Sequence, residues 1–194
     1  MAVPVLVMVA GFRMPGYVSS AMAVPLFKSL HYSNSDTVTK LFGFGVALGG
    51  TFLASYVVPR IGIMASILAG TVFGSASHLS LAYLAVHGDH GGGEFWTFAL
   101  AVSVDNFAYA FASIVLITYM SSLATTEHAA SQYALLTSLC ALPGSLIAGA
   151  SGFVIERVSF EWFFVATSLI GVPVAVLCWY VWHLEGRARP RPTV

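Results

Sequence analysis

Six long apolar runs separated by short polar breaks make up nearly the whole chain. They lie at Val3–Phe27, Val38–Val58, Ile61–Val86, Phe95–Leu123, Ala130–Ile155 and Trp162–Leu184. Each reaches the roughly 20 residues that a tilted helix needs to cross a bilayer. Barrel strands are about half that length and alternate in polarity, and these runs do not alternate. The expected fold class is an all-α integral membrane protein of six transmembrane helices. Residues 1–184 form the transmembrane domain, and 185–194, with Arg187, Arg189 and Arg191 among prolines, form a polar tail predicted to be disordered.

Composition agrees: 58% of residues are hydrophobic and 8% charged, against about 25% charged in a soluble domain. The formal charge is zero, so no basic surface points to nucleic acid. Cys140 and Cys178 both fall in apolar runs and read as small buried hydrophobes. The loop His87–Glu94 holds two His and two acids, but Gly91, Gly92 and Gly93 give no rigid scaffold for a metal. No Ser/His/Asp set, HExxH or paired-Asp motif supports an enzyme, and no cofactor is expected. The start MAVPVLVMVAGFRMPG lacks a basic leader, which suggests that Met1 is not the natural first residue.

Polar residues inside the runs carry the functional signal. Asp105 and Asn106 lie near the middle of Phe98–Met120. A carboxylate at that depth costs roughly 2.5–3.5 kcal/mol on insertion scales, so it faces a bundle interior or a watery cavity and finds a cation or a proton. Tyr109 and Ser113 follow at helical spacing and extend the polar stripe. Arg13 sits deep in the first run beside Pro15-Gly16, and Pro143-Gly144 interrupts the fifth in the same way. Both resemble the discontinuous helices of transporters. Gln132 and Tyr133 open the fifth helix, and His78 in the third reads as a packed, hydrogen-bonded histidine.

Small residues set the expected packing. Gly45/Gly49 and Gly70/Gly74 form GxxxG pairs, and Gly144, Ala148 and Gly152 repeat every four positions. The short turn Val58–Gly62 predicts that helices two and three are antiparallel neighbours, and Ser35 or Asp36 is a plausible cap for helix two. The glycine loop divides the chain into three helices plus three. Three is odd, so the second triplet runs inverted, and Arg13 and Asp105 fall on its equivalent first helices. Helices one, two, four and five are expected to face a partner half, with three and six as outer supports. Aromatic residues at both ends of helix six form an interfacial belt. The basic tail places both ends in the cytoplasm.

Three stretches resemble a known family: Phe12-Arg13-Met14-Pro15-Gly16-Tyr17; Val104-Asp105-Asn106-Phe107-Ala108; and Ser131-Gln132-Tyr133-Ala134-Leu135-Leu136-Thr137-Ser138-Leu139 followed by Ala141-Leu142-Pro143-Gly144. Together they resemble the carboxyl-terminal half of AmpG-type permeases, major facilitator superfamily transporters of the peptide/acetyl-coenzyme A transporter group. The resemblance implies helices seven to twelve of a twelve-helix, proton-coupled importer of anhydro-muropeptides in a bacterial inner membrane. Arg13 matches a basic family position, and Asp105 and Asn106 match its acidic-Asn pair. Gly16 and Ser145 depart from it, standing where an acidic and a basic residue are expected.

The resulting expectation is a secondary, proton-coupled transporter, or half of one, for a sizeable polar solute. Its pathway residues are Arg13, Asp105, Asn106, Tyr109, Gln132 and Tyr133. Its partners are the lipid bilayer, a small-molecule solute with protons, and an amino-terminal six-helix half or a second copy. The alternative is a non-transporting membrane scaffold or assembly factor derived from a transporter half.

Overall fold

The computed structural model describes residues 2–30, 35–88, 95–124, 129–155 and 157–188. Six helices occupy them: α1 (Ala2–Ser29), α2 (Ser35–Ile61), α3 (Ile63–His87), α4 (Phe95–Leu123), α5 (Ala129–Ile155) and α6 (Phe160–Ala188). All six are long and apolar enough to cross a membrane. The cap expected from Ser35 or Asp36, most of the glycine loop and the end of the tail lie outside the described residues or side chains.

Packing partners follow the three-plus-three pattern. α1 packs on α5 and α6, and α4 packs on α2 and α3. Exchanging the first triplet for the second turns one set of pairs into the other. The pair α3–α6 maps onto itself and binds the triplets together. Short links and an odd number of spans per triplet make the repeat inverted.

Several local expectations are corrected. α1 and α5 run unbroken through Pro15, Pro25 and Pro143. Proline fits the helical φ, and in a bundle neighbouring groups absorb the lost backbone hydrogen bond. α2 and α3 are joined by Gly62 alone, in the left-handed region at φ 88°, which glycine adopts without steric cost. Yet α2 lies mainly on α4 and touches α3 only lightly. The Gly45/Gly49 pair does not make the close approach. Nothing lies within 4 Å of a Cβ built on Gly45, whereas one on Gly50 would stand 2.5 Å from the Phe107 carbonyl oxygen. Gly43 and Gly50, two turns apart, hold α2 against Asn106 and Phe107 of α4. Gly70 does meet Phe12 and Ala112 closely, and Gly144 receives the Tyr17 ring, but Gly152 faces open space. In a bilayer, such close fits, not water exclusion, drive helices together.

α3 is no outer support within this bundle. Half of its most apolar window is buried, against 17% for α5 and 22% for α2. α6 presents Trp162, Trp179, Tyr180 and Trp182 outward and buries Phe163, Phe164, Val174 and Cys178.

Two apolar clusters close the bundle at its ends. One gathers Met8, Val9, Phe12, Ile67, Val115, Cys140 and Cys178 near the two termini. The other gathers Val18, Leu26, Leu81, Leu84, Phe98 and Phe164 at the opposite end. Between these clusters α1, α3 and α4 carry Arg13, Thr71, Ser77, His78, Asp105 and Asn106, which form a polar layer at mid-depth. Both cysteines are free and buried.

Candidate functional site

A cavity of about 280 Å³ occupies that layer, walled by α1, α3 and α4. α1 contributes Arg13, Gly16 and Ser19; α3 contributes Thr71, Ser75, Ser77 and His78; α4 contributes Asp105, Asn106, Tyr109 and Ser113. On α3, positions 71, 74, 75 and 78 share one helical face, which is why three small or polar residues and a histidine turn inward together.

Arg13 donates from Nη2 to Ser113 Oγ at 3.3 Å. Its guanidinium also lies 5.6 Å from the Tyr17 ring centroid and 5.9 Å from that of Tyr109. Aromatic faces attract a cation, more strongly where water is excluded. Among the described residues no carboxylate pairs with Arg13. One hydroxyl and two rings therefore hold a group with five N–H donors, leaving several for an anion.

Asp105 Oδ1 accepts from Ser77 Oγ at 3.1 Å, a contact joining α4 to α3. The same hydroxyl lies 2.8 Å from the Gly74 carbonyl oxygen, and its single proton serves one acceptor at a time. The carboxyl group is thus incompletely satisfied by protein. Asn106 folds back, donating from Nδ2 to the Val102 carbonyl at 2.8 Å, and lies against Gly43 of α2. Tyr109 lies at the rim, 46% exposed, its ring against Gly16. A Cβ at position 16, the first family departure, would lie 3.4 Å from that ring, in ordinary van der Waals contact. Ser145, the second departure, is exposed and donates to the Ala141 carbonyl of its own helix.

Four of the six expected pathway residues, Arg13, Asp105, Asn106 and Tyr109, therefore line one cavity. Gln132 and Tyr133 do not line it; they sit on the first turns of α5, with Tyr133 packed on the terminal apolar cluster. The α3 wall was the residue set that pathway reasoning missed. Its signal, polar residues at helical spacing from Thr71 to His78, is weak because serine and threonine alone are cheap in membrane helices.

Among the described residues two buried polar atoms have no partner, Ser19 Oγ and His78 Nδ1. His78 is 4% exposed, so its Nδ1 is shielded from bulk water. Leaving such an atom unsatisfied costs roughly 1–3 kcal/mol. The expectation of a packed histidine is met in packing, while its Nδ1 has no hydrogen-bond partner among the described residues. Among the described residues no cluster of three or more His, Cys, Asp or Glu groups forms a metal site.

No protein-family model matches the chain. Curated relatives do, under the shared name "Putative transporter AmpG". AmpG 4 of Rickettsia conorii is 25% identical over 182 residues, covering 93% of this chain and 43% of the relative. AmpG 3 of Rickettsia prowazekii is 28% identical over 154 residues, 78% of this chain and 36% of the relative. AmpG 1 of Rickettsia bellii is 23% identical over 171 residues. The chain is similar to AmpG-type transporters. It spans less than half the length of these AmpG relatives. Six membrane-length helices and AmpG-named relatives together support a transporter or a transporter half.

Proposed function

We propose that the chain acts as the carboxyl-terminal-like half of a secondary transporter in a bacterial inner membrane, moving a sizeable anionic, polar solute such as an anhydro-muropeptide together with protons. The observation that carries this reading is the presence of two unlike charges in one cavity without an ion pair between them. Arg13 is held by Ser113, Tyr17 and Tyr109, and Asp105 is held by Ser77. A structural ion pair would neutralise both groups permanently. Held apart, Arg13 is free to attract a carboxylate and Asp105 to exchange a proton, and equivalent helices of an inverted repeat supply them.

The weakly buried faces of α2 and α5 support a partner in the membrane, an amino-terminal six-helix half or a second copy. Six spans put both ends on one side, and the basic tail favours the cytoplasmic one.

Uptake into proteoliposomes holding the chain with its complementary half tests the reading. Arg13→Gln should reduce uptake of an anhydro-muropeptide at least tenfold, and of an amidated, uncharged analogue much less. Equal loss for both would remove Arg13 from solute recognition.

A further inference from the structure

We infer that Tyr17 is the positioning residue for Arg13, held in place by a notch that Gly144 leaves in α5. The inference rests on the transporter reading and adds to it how the cation of the cavity is aimed. Arg13 and Tyr17 stand four residues apart on α1, a spacing at which helical side chains meet. The Arg13 guanidinium lies 5.6 Å from the Tyr17 ring centroid. Ser113 Oγ and the Tyr109 ring also hold it.

The ring itself is fixed from α5. Gly144 is buried, and a Cβ built on it would stand 2.8 Å from Tyr17 Cγ and 3.0 Å from Tyr17 Cβ. Those atoms are the root of the side chain, so the ring cannot swing clear by a turn of its far end. Any side chain at position 144 must shift Tyr17 or part α1 from α5. One turn earlier on α5, Cys140 Sγ lies 3.5 Å from the Val9 carbonyl oxygen and keeps the two helices in register. An arginine has many rotamers, and an anion that binds it must freeze them. A cation already held against a ring loses less freedom on binding. Among the described residues none from α5 lines the cavity, yet α5 sets the place of its cation through this ring.

Uptake into proteoliposomes holding the chain with its complementary half tests this, read as the ratio between an anhydro-muropeptide and its amidated, uncharged analogue. Tyr17→Leu removes the ring face and should lower that ratio about 3- to 10-fold, the worth of one partly desolvated cation–π contact. Tyr17→Phe keeps the face and should recover most of the ratio. Gly144→Ala should lower it as Tyr17→Leu does, and add little in the double variant, because both act through one ring. A merely structural change slows both solutes together and leaves the ratio unmoved. If Tyr17→Leu keeps the wild-type ratio, or Tyr17→Phe falls as far as Tyr17→Leu, Tyr17 does not position Arg13; a ratio still lost in Arg13→Gln then leaves the transporter reading standing. Full additivity of Gly144→Ala with Tyr17→Leu overturns the notch. If Gly144→Ala does not reach the membrane, the two Tyr17 variants decide alone. An unchanged ratio in Arg13→Gln overturns both the positioning and the anion recognition it serves.

Discussion

Ser77 Oγ stands 3.1 Å from Asp105 Oδ1 and links α3 to α4 at a carboxyl group inside the polar layer. Sequence alone marked Asp105 by its depth and left its partner open. The partner is a hydroxyl that divides its proton between Asp105 and the Gly74 carbonyl. A second positive charge there would have fixed Asp105 in one state; a shared hydroxyl does not.

Ser77→Ala should cost about 1 kcal/mol of stability, the usual net contribution of one hydrogen bond. Thermal unfolding followed by a thiol-reactive dye reads it directly, because Cys140 and Cys178 are buried and free. Asp105→Asn, which retains an acceptor for Ser77, should lose less. A greater loss from Asp105→Asn would mean that the carboxylate has stronger structural partners than Ser77.

The α2–α4 contact predicts opposite outcomes for two neighbouring glycines. A Cβ at Gly50 would stand 2.5 Å from the Phe107 carbonyl oxygen and 3.2 Å from the Ala110 Cβ. Gly50→Ala should therefore push the helices apart and destabilise by about 2 kcal/mol or more. Gly45→Ala meets nothing within 4 Å and should be neutral or stabilising by up to roughly 1 kcal/mol from helix propensity. The same dye assay ranks them, and equal effects would refute this α2–α4 register.

Assembly should depend on the faces that the fold leaves uncovered. α5 and α2 have the smallest buried shares, and Leu135, Leu142, Leu146, Phe153, Phe44 and Phe52 project from them. The purified chain should dimerise, or bind a complementary six-helix half, and crosslinks should map to α2 and α5. A stable, monodisperse monomer in mild detergent would argue against a partner.

Topology is testable in the same preparation. A cysteine placed between His87 and Glu94 should react with a membrane-impermeant reagent from outside intact cells. Labelling only after permeabilisation would reverse the proposed orientation and place the basic tail outside.

Most of the architecture was legible because it depends on quantities that sequence displays. Run length marks the spans, and an odd number of them per triplet gives the inverted repeat. Asp105, Tyr109 and Ser113 share a face by spacing alone, and all three line the cavity. What stayed hidden depends on contacts between helices. Gly45 and Gly49 form the familiar motif, yet Gly43 and Gly50 make the approach, because helix rotation decides which small residues meet α4. Pro15 and Pro143 suggested broken helices, but the surrounding bundle holds both helices intact. Gln132 stood beside a distinctive motif, yet α5 places it away from the cavity, and Ser77, an ordinary serine, became the partner of Asp105.

The central claim, that Asp105 exchanges the coupling proton, is tested most directly by Asp105→Asn in proteoliposomes holding the complete transporter under an imposed pH gradient. Asn is nearly isosteric with Asp and cannot ionise. The variant should reach wild-type levels in the membrane, keep binding solute, and lose accumulation driven by the gradient. Wild-type uptake with unchanged dependence on the gradient would make Asp105 a structural hydrogen-bonding residue and contradict the claim.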